Sequence, residues 1–113
     1  MIRLEAALDK ENILVAYSAA GHAGTGPRGE DIVCAAVSTL SRTLVRALSC
    51  TEGIKIQAEA PERGVFSAVI NYTENAKQFL QGAGTFLLEG LKSIEEEYPA
   101  CCKLTIKKAK KSG

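Results

Sequence analysis

Ile13-Leu14-Val15-Ala16-Tyr17-Ser18-Ala19-Ala20 is an apolar run that a glycine-rich segment, Gly21-His22-Ala23-Gly24-Thr25-Gly26-Pro27-Arg28-Gly29, brings to an end. Glu30-Asp31-Ile32-Val33-Cys34-Ala35-Ala36-Val37-Ser38 then resumes with a different period. A short run apolar on both faces reads as a central strand with cover above and below it. From Asp31 onward, Val33, Val37, Leu40, Leu44 and Leu48 recur at helical spacing, with Ile32, Ala36 and Ala47 beside them. Arg42 and Arg46 fall off that stripe and are expected in solvent. The helix is expected to end near Cys50, where Gly53 is available to break it.

Outward from this stretch the same two periods recur. On the N-terminal side Ile2, Leu4, Ala6 and Leu8 alternate with Arg3, Glu5 and Ala7, which predicts a half-buried strand joined to the central one through a turn at Asp9-Lys10-Glu11-Asn12. On the C-terminal side Ile54, Ile56, Ala58 and Ala60 alternate with Lys55, Gln57 and Glu59. Pro61-Glu62-Arg63-Gly64 supplies turn residues, and 65–72 returns as a second hairpin strand. Helical spacing resumes over 74–98 through Phe79, Leu80, Ala83, Leu87, Leu91, Ile94 and Tyr98, against the helix-weakening Gly82, Gly84 and Gly90. Those glycines point to close backbone approach, with a subunit contact as one reason for it. A short strand over 103–107 follows Pro99. The order β-β-α-β-β-α-β predicts one α+β layer domain over residues 1–113, a mixed sheet with two long helices packed on it, and a lysine-rich tail from about residue 107.

Composition narrows the function classes. A chain of 113 residues, 46% hydrophobic and 24% charged, is an ordinary globular domain. A net charge of +1 gives no general pull toward nucleic acid, and Lys103, Lys107, Lys108, Lys110 and Lys111 near the end read as solvated. The first residues do not resemble a signal peptide and no run approaches the ~20 apolar residues of a bilayer span, so the expected compartment is the cytoplasm. Cys34, Cys50, Cys101 and Cys102 have neither CxxC nor Cys/His spacing, so neither a zinc site nor a disulfide framework is expected, and no cofactor is implied.

The chemistry available lies in the glycine segment and the helix after it. A thiol becomes a nucleophile when its thiolate is stabilised, and with Asp31 as N-cap Cys34 stands at the third helical position, within reach of the helix dipole. His22, twelve positions earlier, is the only histidine in the chain. An imidazole beside a thiol takes its proton and returns it to a leaving amine, the minimum for cysteine acyl transfer. Gly21, Gly24, Gly26 and Gly29 can bring backbone N–H groups close enough to hold an oxyanion. The spacing leaves open whether Asp31 orients His22 or opposes the thiolate. The plain alternative is a small core cysteine and a loop histidine. A phosphate loop is disfavoured, because neither GxxxxGK[ST] nor a strict GxGxxG is present.

Gly21-His22-Ala23, the spaced glycines, Asp31-Ile32-Val33-Cys34-Ala35 and Ser38 closely resemble the signature of the bacterial ribosomal-processing cysteine proteases called Prp. The resemblance extends to Ser93-Ile94-Glu95-Glu96-Glu97-Tyr98 and the lysine-bearing strand after it. It implies a homodimeric endopeptidase that removes the N-terminal extension of ribosomal protein number twenty-seven of the large subunit. His22 is then the base and Cys34 the nucleophile, and Gly21, Ala23, Gly24, Gly26, Gly29, Asp31 and Ser38 are the positions expected at the substrate. No membrane partner and no direct RNA contact are implied. The rival reading is a non-enzymatic ribosome-associated module that binds protein or RNA through the glycine loop and lysine tail. A thiol redox switch, needing a cysteine to resolve Cys34, is a third.

Overall fold

The computed structural model describes residues 1–21, 30–62 and 64–109, and within them five strands and two helices follow the expected order. They are β1 (Ile2–Leu8), β2 (Leu14–Ala20), α1 (Glu30–Ser49), β3 (Ile54–Glu62), β4 (Val65–Tyr72), α2 (Lys77–Glu97) and β5 (Cys102–Lys108). A 3-10 turn, Glu74–Ala76, leads into α2. The strands form a single mixed sheet in the order β3-β4-β2-β1-β5, antiparallel throughout except for the parallel pair β1 and β5.

β2 is central, as its composition suggests, but the described residues cover the sheet on one face only. The reason lies in its register. Ala7 pairs with Ala16 and Leu8 with Leu14, so Val15 is an extra residue in a β-bulge. Shifting a strand by one residue exchanges its faces. Leu14 and Tyr17, three positions apart, therefore both point into the core. The run looks apolar on both faces because the bulge moves the core side from even to odd positions partway along it.

The core lies between that face and the two helices. Leu4 and Ala6 from β1, Tyr17 and Ala19 from β2 and Ile70 from β4 meet Val33, Val37, Leu44 and Leu48 of α1 and Leu80, Leu87 and Leu91 of α2. Each fully buried leucine or isoleucine contributes about 1.5–3 kcal/mol by leaving water. Ile32, read as a neighbour of the α1 stripe, is instead exposed. On length and composition alone Asp31–Ser49, with mean hydropathy 1.3, is long and apolar enough to cross a membrane, contrary to the sequence expectation. Here its apolar stripe packs against the sheet. On the opposite sheet face Arg3, Glu5, Lys55, Gln57, Glu59, Asn71, Lys103, Thr105 and Lys107 are exposed.

Two of the α2 glycines are explained within the chain. A Cβ on Gly84 would sit 3.1 Å from Leu14 Cβ, and one on Gly90 would sit 3.1 Å from Leu40 Cδ1. These are the places where α2 presses on β2 and on α1. Gly82 has open space around it.

Turn and tail differ in detail from expectation. Pro61 and Glu62 continue β3 past an irregularity after Glu59, where the strand carries one extra residue against β4. A proline is tolerated at such a place because the bulge already interrupts the ladder. Lys107 and Lys108 belong to β5. Lys107 pairs with Glu5 at 3.0 Å, and Lys108 donates to Asn12 Oδ1. Lys110 and Lys111 lie outside the described residues.

Candidate functional site

α1 starts at Glu30, so Asp31 is its second residue and Cys34 its fifth. This corrects the expectation that Asp31 caps the helix and that Cys34 holds the third position. A fifth residue is the first whose N–H finds a carbonyl four positions back, and the dipole effect fades within the first turn. Cys34 is thus two positions deeper in the helix than the sequence argument assumed.

Cys34 is half-buried and lines a cleft of about 980 Å³. One wall is α1, presenting Cys34, Ala35, Ser38, Ser41 and Arg42. The facing wall is the β3–β4 hairpin, with Ala60, Glu62, Gly64, Val65 and Phe66, and Ala19, Ala20 and Gly21 from the end of β2 join them. The spacing of Cys34, Ser38 and Arg42, four residues apart each time, puts them on successive turns along the cleft. Of the positions expected at the substrate, Gly21 and Ser38 line it and Asp31, though exposed, does not.

Gly21 is where strand becomes cleft. Its φ of +129° lies in a region that residues with a side chain rarely adopt, and a Cβ there would meet Met1 O at 2.6 Å. Its N–H donates to Gly64 O at 2.9 Å, fastening the end of β2 to the opposite hairpin. That N–H is therefore taken, which corrects the expectation that Gly21 offers a donor to an oxyanion. The other residues expected to act here, His22 with Ala23, Gly24, Gly26 and Gly29, lie outside the described residues.

Behind Cys34 the helix is pinned to the sheet. Ser41 is 4% exposed, and its Oγ lies 2.9 Å from the Tyr17 hydroxyl. The Tyr17 ring packs on Phe66 at a centroid distance of 5.8 Å, so one contact chain ties α1, β2 and β4 together beside the cleft. Burial pushes the Tyr17 hydroxyl pKa up, against the bond to Ser41, which lowers it.

The remaining thiols are placed differently. Cys50 is exposed just past α1, while Cys101 and Cys102 are buried at the start of β5, and no disulfide joins any of the four. Burial, then the charge of Glu95 and the neighbouring Cys101, pushes the Cys102 thiol up to about 11. A group that holds its proton so firmly is a poor nucleophile at neutral pH. Among the described residues no three His, Cys, Asp or Glu side chains gather as a metal-holding group.

Sequence reasoning missed Arg42. It is exposed, as expected of a residue off the apolar stripe, but it also stands two turns beyond Cys34 on the cleft wall. Its spacing of eight from Cys34, through Ser38, was the available signal.

Comparison with known proteins places this arrangement. The family model for cysteine protease Prp matches residues 1–103. The structure of SMU.848 from Streptococcus mutans superposes with a TM-score of 0.80 at 29% identity, covering 96% of this chain and 99% of that one. A ribosomal processing protease Prp from S. aureus in complex with a substrate peptide gives a TM-score of 0.81 at 26% identity, covering 95% and 100%. The S. aureus protease with a covalently linked product peptide gives 0.79 at 28% identity, with the same coverage. No curated protein matches the sequence.

Proposed function

The chain belongs to the cysteine protease Prp family and is a cysteine endopeptidase, and from that premise we propose that it cuts the N-terminal extension from ribosomal protein number twenty-seven of the large subunit, using Cys34 and His22. The observation that carries the assignment is Cys34 on the wall of a cleft that Gly21, the residue before His22 in the sequence, also lines. Cys34 is also the only cysteine lining that cleft.

The proposed steps follow from the chemistry of the pair. His22 takes the Cys34 proton, and the thiolate adds to the scissile carbonyl carbon. The tetrahedral adduct collapses as His22 returns the proton to the departing amine, leaving a thioester that water hydrolyses. N–H groups of the loop after Gly21 are assigned to the oxyanion, since the Gly21 N–H is already bonded to Gly64.

We place the reaction in the cytoplasm, on the ribosomal precursor, and read the enzyme as a homodimer. Support for the dimer comes from α2, where Phe79 and Phe86 are 49% and 75% exposed on one side of the helix with open Gly82 between them. A monomeric mass by light scattering at micromolar concentration would contradict it.

The decisive experiment incubates the protein with the unprocessed ribosomal protein of the same organism and reads intact mass. The wild type should release the extension in one cut. Cys34→Ala and His22→Ala should each lose most of that rate. A Cys34→Ala protein cutting as fast as wild type would overturn the assignment.

A further inference from the structure

We propose that Arg42 reads an acidic side chain of the peptide, a few residues from the bond that is cut. The inference rests on the peptidase reading of the same cleft. Arg42 lines the cleft, yet it takes part in no ion pair or hydrogen bond among the described residues. Arg46, one turn further along α1, is exposed like Arg42 but does not line the cleft. Arg42 is the only cation among the described lining residues, and Glu62 on the facing hairpin is the only anion. The rest of the lining is apolar, glycine or hydroxyl-bearing.

Geometry sets which residue of the peptide is read. Eight residues of helix separate Arg42 from Cys34, an axial distance of about 12 Å at 1.5 Å per residue. An extended peptide advances about 3.3 Å per residue, so the side chain opposite Arg42 stands about three to five residues from the scissile bond. The Arg42 guanidinium offers a forked pair of donors that matches a carboxylate. Glu62 on the other wall repels the same carboxylate, so an acidic side chain is directed to the Arg42 side. The pair of walls thereby favours one lateral orientation of the peptide as well as one charge.

Synthetic peptides spanning the proposed cleavage site test this. One series carries a single Asp at each position three to five residues to either side of the cut, and its control carries Asn there. Wild type should cut one Asp peptide about three- to tenfold faster in kcat/KM than its Asn control, the range of a partly exposed ion pair, with the difference in KM and shrinking as salt rises. Arg42→Gln should erase that preference, bringing the ratio of Asp to Asn peptide in kcat/KM to about one. Arg42→Glu should move the preference to Lys at the same position, and Arg46→Gln should leave it unchanged. Equal preference in wild type and Arg42→Gln, or no Asp preference at any position, overturns the proposal. Cleavage of the Asn peptide, lost in Cys34→Ala, reports on the peptidase reading independently of Arg42.

Discussion

The hydroxyl of Tyr17 lies 2.9 Å from Ser41 Oγ inside the core, and this is the polar bond that fixes α1 on β2 directly behind the cleft. Removing one partner leaves the other, almost fully buried, without its bond. Tyr17→Phe should therefore destabilise the protein by about 1–3 kcal/mol, and Tyr17→Phe with Ser41→Ala should cost less than the two single changes added together. Urea unfolding of the four proteins checks both statements.

Asp9 ties the β1–β2 turn to β4. Its Oδ1 accepts from the N–H groups of Glu11 and Ile13, and its Oδ2 accepts from the Tyr72 hydroxyl at 2.5 Å. Burial alone would raise the Asp9 pKa, but the bonds from Tyr72, Ile13 and Glu11 outweigh it and the net shift is downward. A carboxyl lowered in the folded state stabilises above its unfolded pKa, near 3.8, and that stability fades as pH falls through the folded value. Tyr72 moves the other way, pushed up to about 12 by its bond to Asp9. Its share is complete below pH 10 and is lost as pH rises from 10 through about 12. Tyr72→Phe should flatten the alkaline limb of the stability profile and weaken the acid limb. Thermal melts from pH 2 to 12 read both, and an unchanged alkaline limb in the variant would contradict this account.

Thiol reactivity should separate the cysteines by position. Iodoacetamide on the native protein at pH 8 should label exposed Cys50 and cleft-lining Cys34 and leave Cys102 untouched until unfolding. Cys50→Ser should retain full cleavage. Peptide mapping by mass spectrometry checks the labelling order, and early labelling of Cys102 would sink it.

Gly82 and Gly84 should respond oppositely to alanine. Gly82→Ala adds a methyl in open space and should stabilise α2 by about 0.5–1 kcal/mol. Gly84→Ala drives a methyl to 3.1 Å from Leu14 Cβ and should gain less or lose stability. Melting temperatures of the two variants, measured side by side, decide the point.

Periodicity made most of the fold legible. The alternation of Ile2, Leu4 and Ala6 and the helical spacing of Val33, Val37, Leu44 and Leu48 are direct consequences of which positions reach the core, so strand and helix could be read from them. What periodicity hides is a change of phase. The extra residue Val15 makes an apolar run look two-sided when only one face is covered, and a bulge leaves no signature in composition. The start of α1 was misplaced for a related reason. Asp31 is a good capping residue, but Glu30 already belongs to the helix, so capping preference named the wrong position. At the site, Cys34 is legible from its chemistry and Ser38 only from the family resemblance. Arg42 is not, because an arginine off an apolar stripe reads as surface until the hairpin opposite it is known. The Gly84 and Gly90 contacts were likewise half readable: close approach followed from glycine itself, but its partners, Leu14 and Leu40, follow only from the packing of α2.

Among the described residues, the one-sided cover of the sheet separates a working half from a carrying half. Every described residue that shapes the cleft sits on the helical side, on a strand end or on the hairpin beyond it, while Lys55, Gln57 and Asn71 point away from the core on the opposite face. A fluorophore, an affinity handle or a surface anchor attached at those three positions would reach solvent without crossing the core, so the bare face is the natural place from which to hold this enzyme while its cleft is left free.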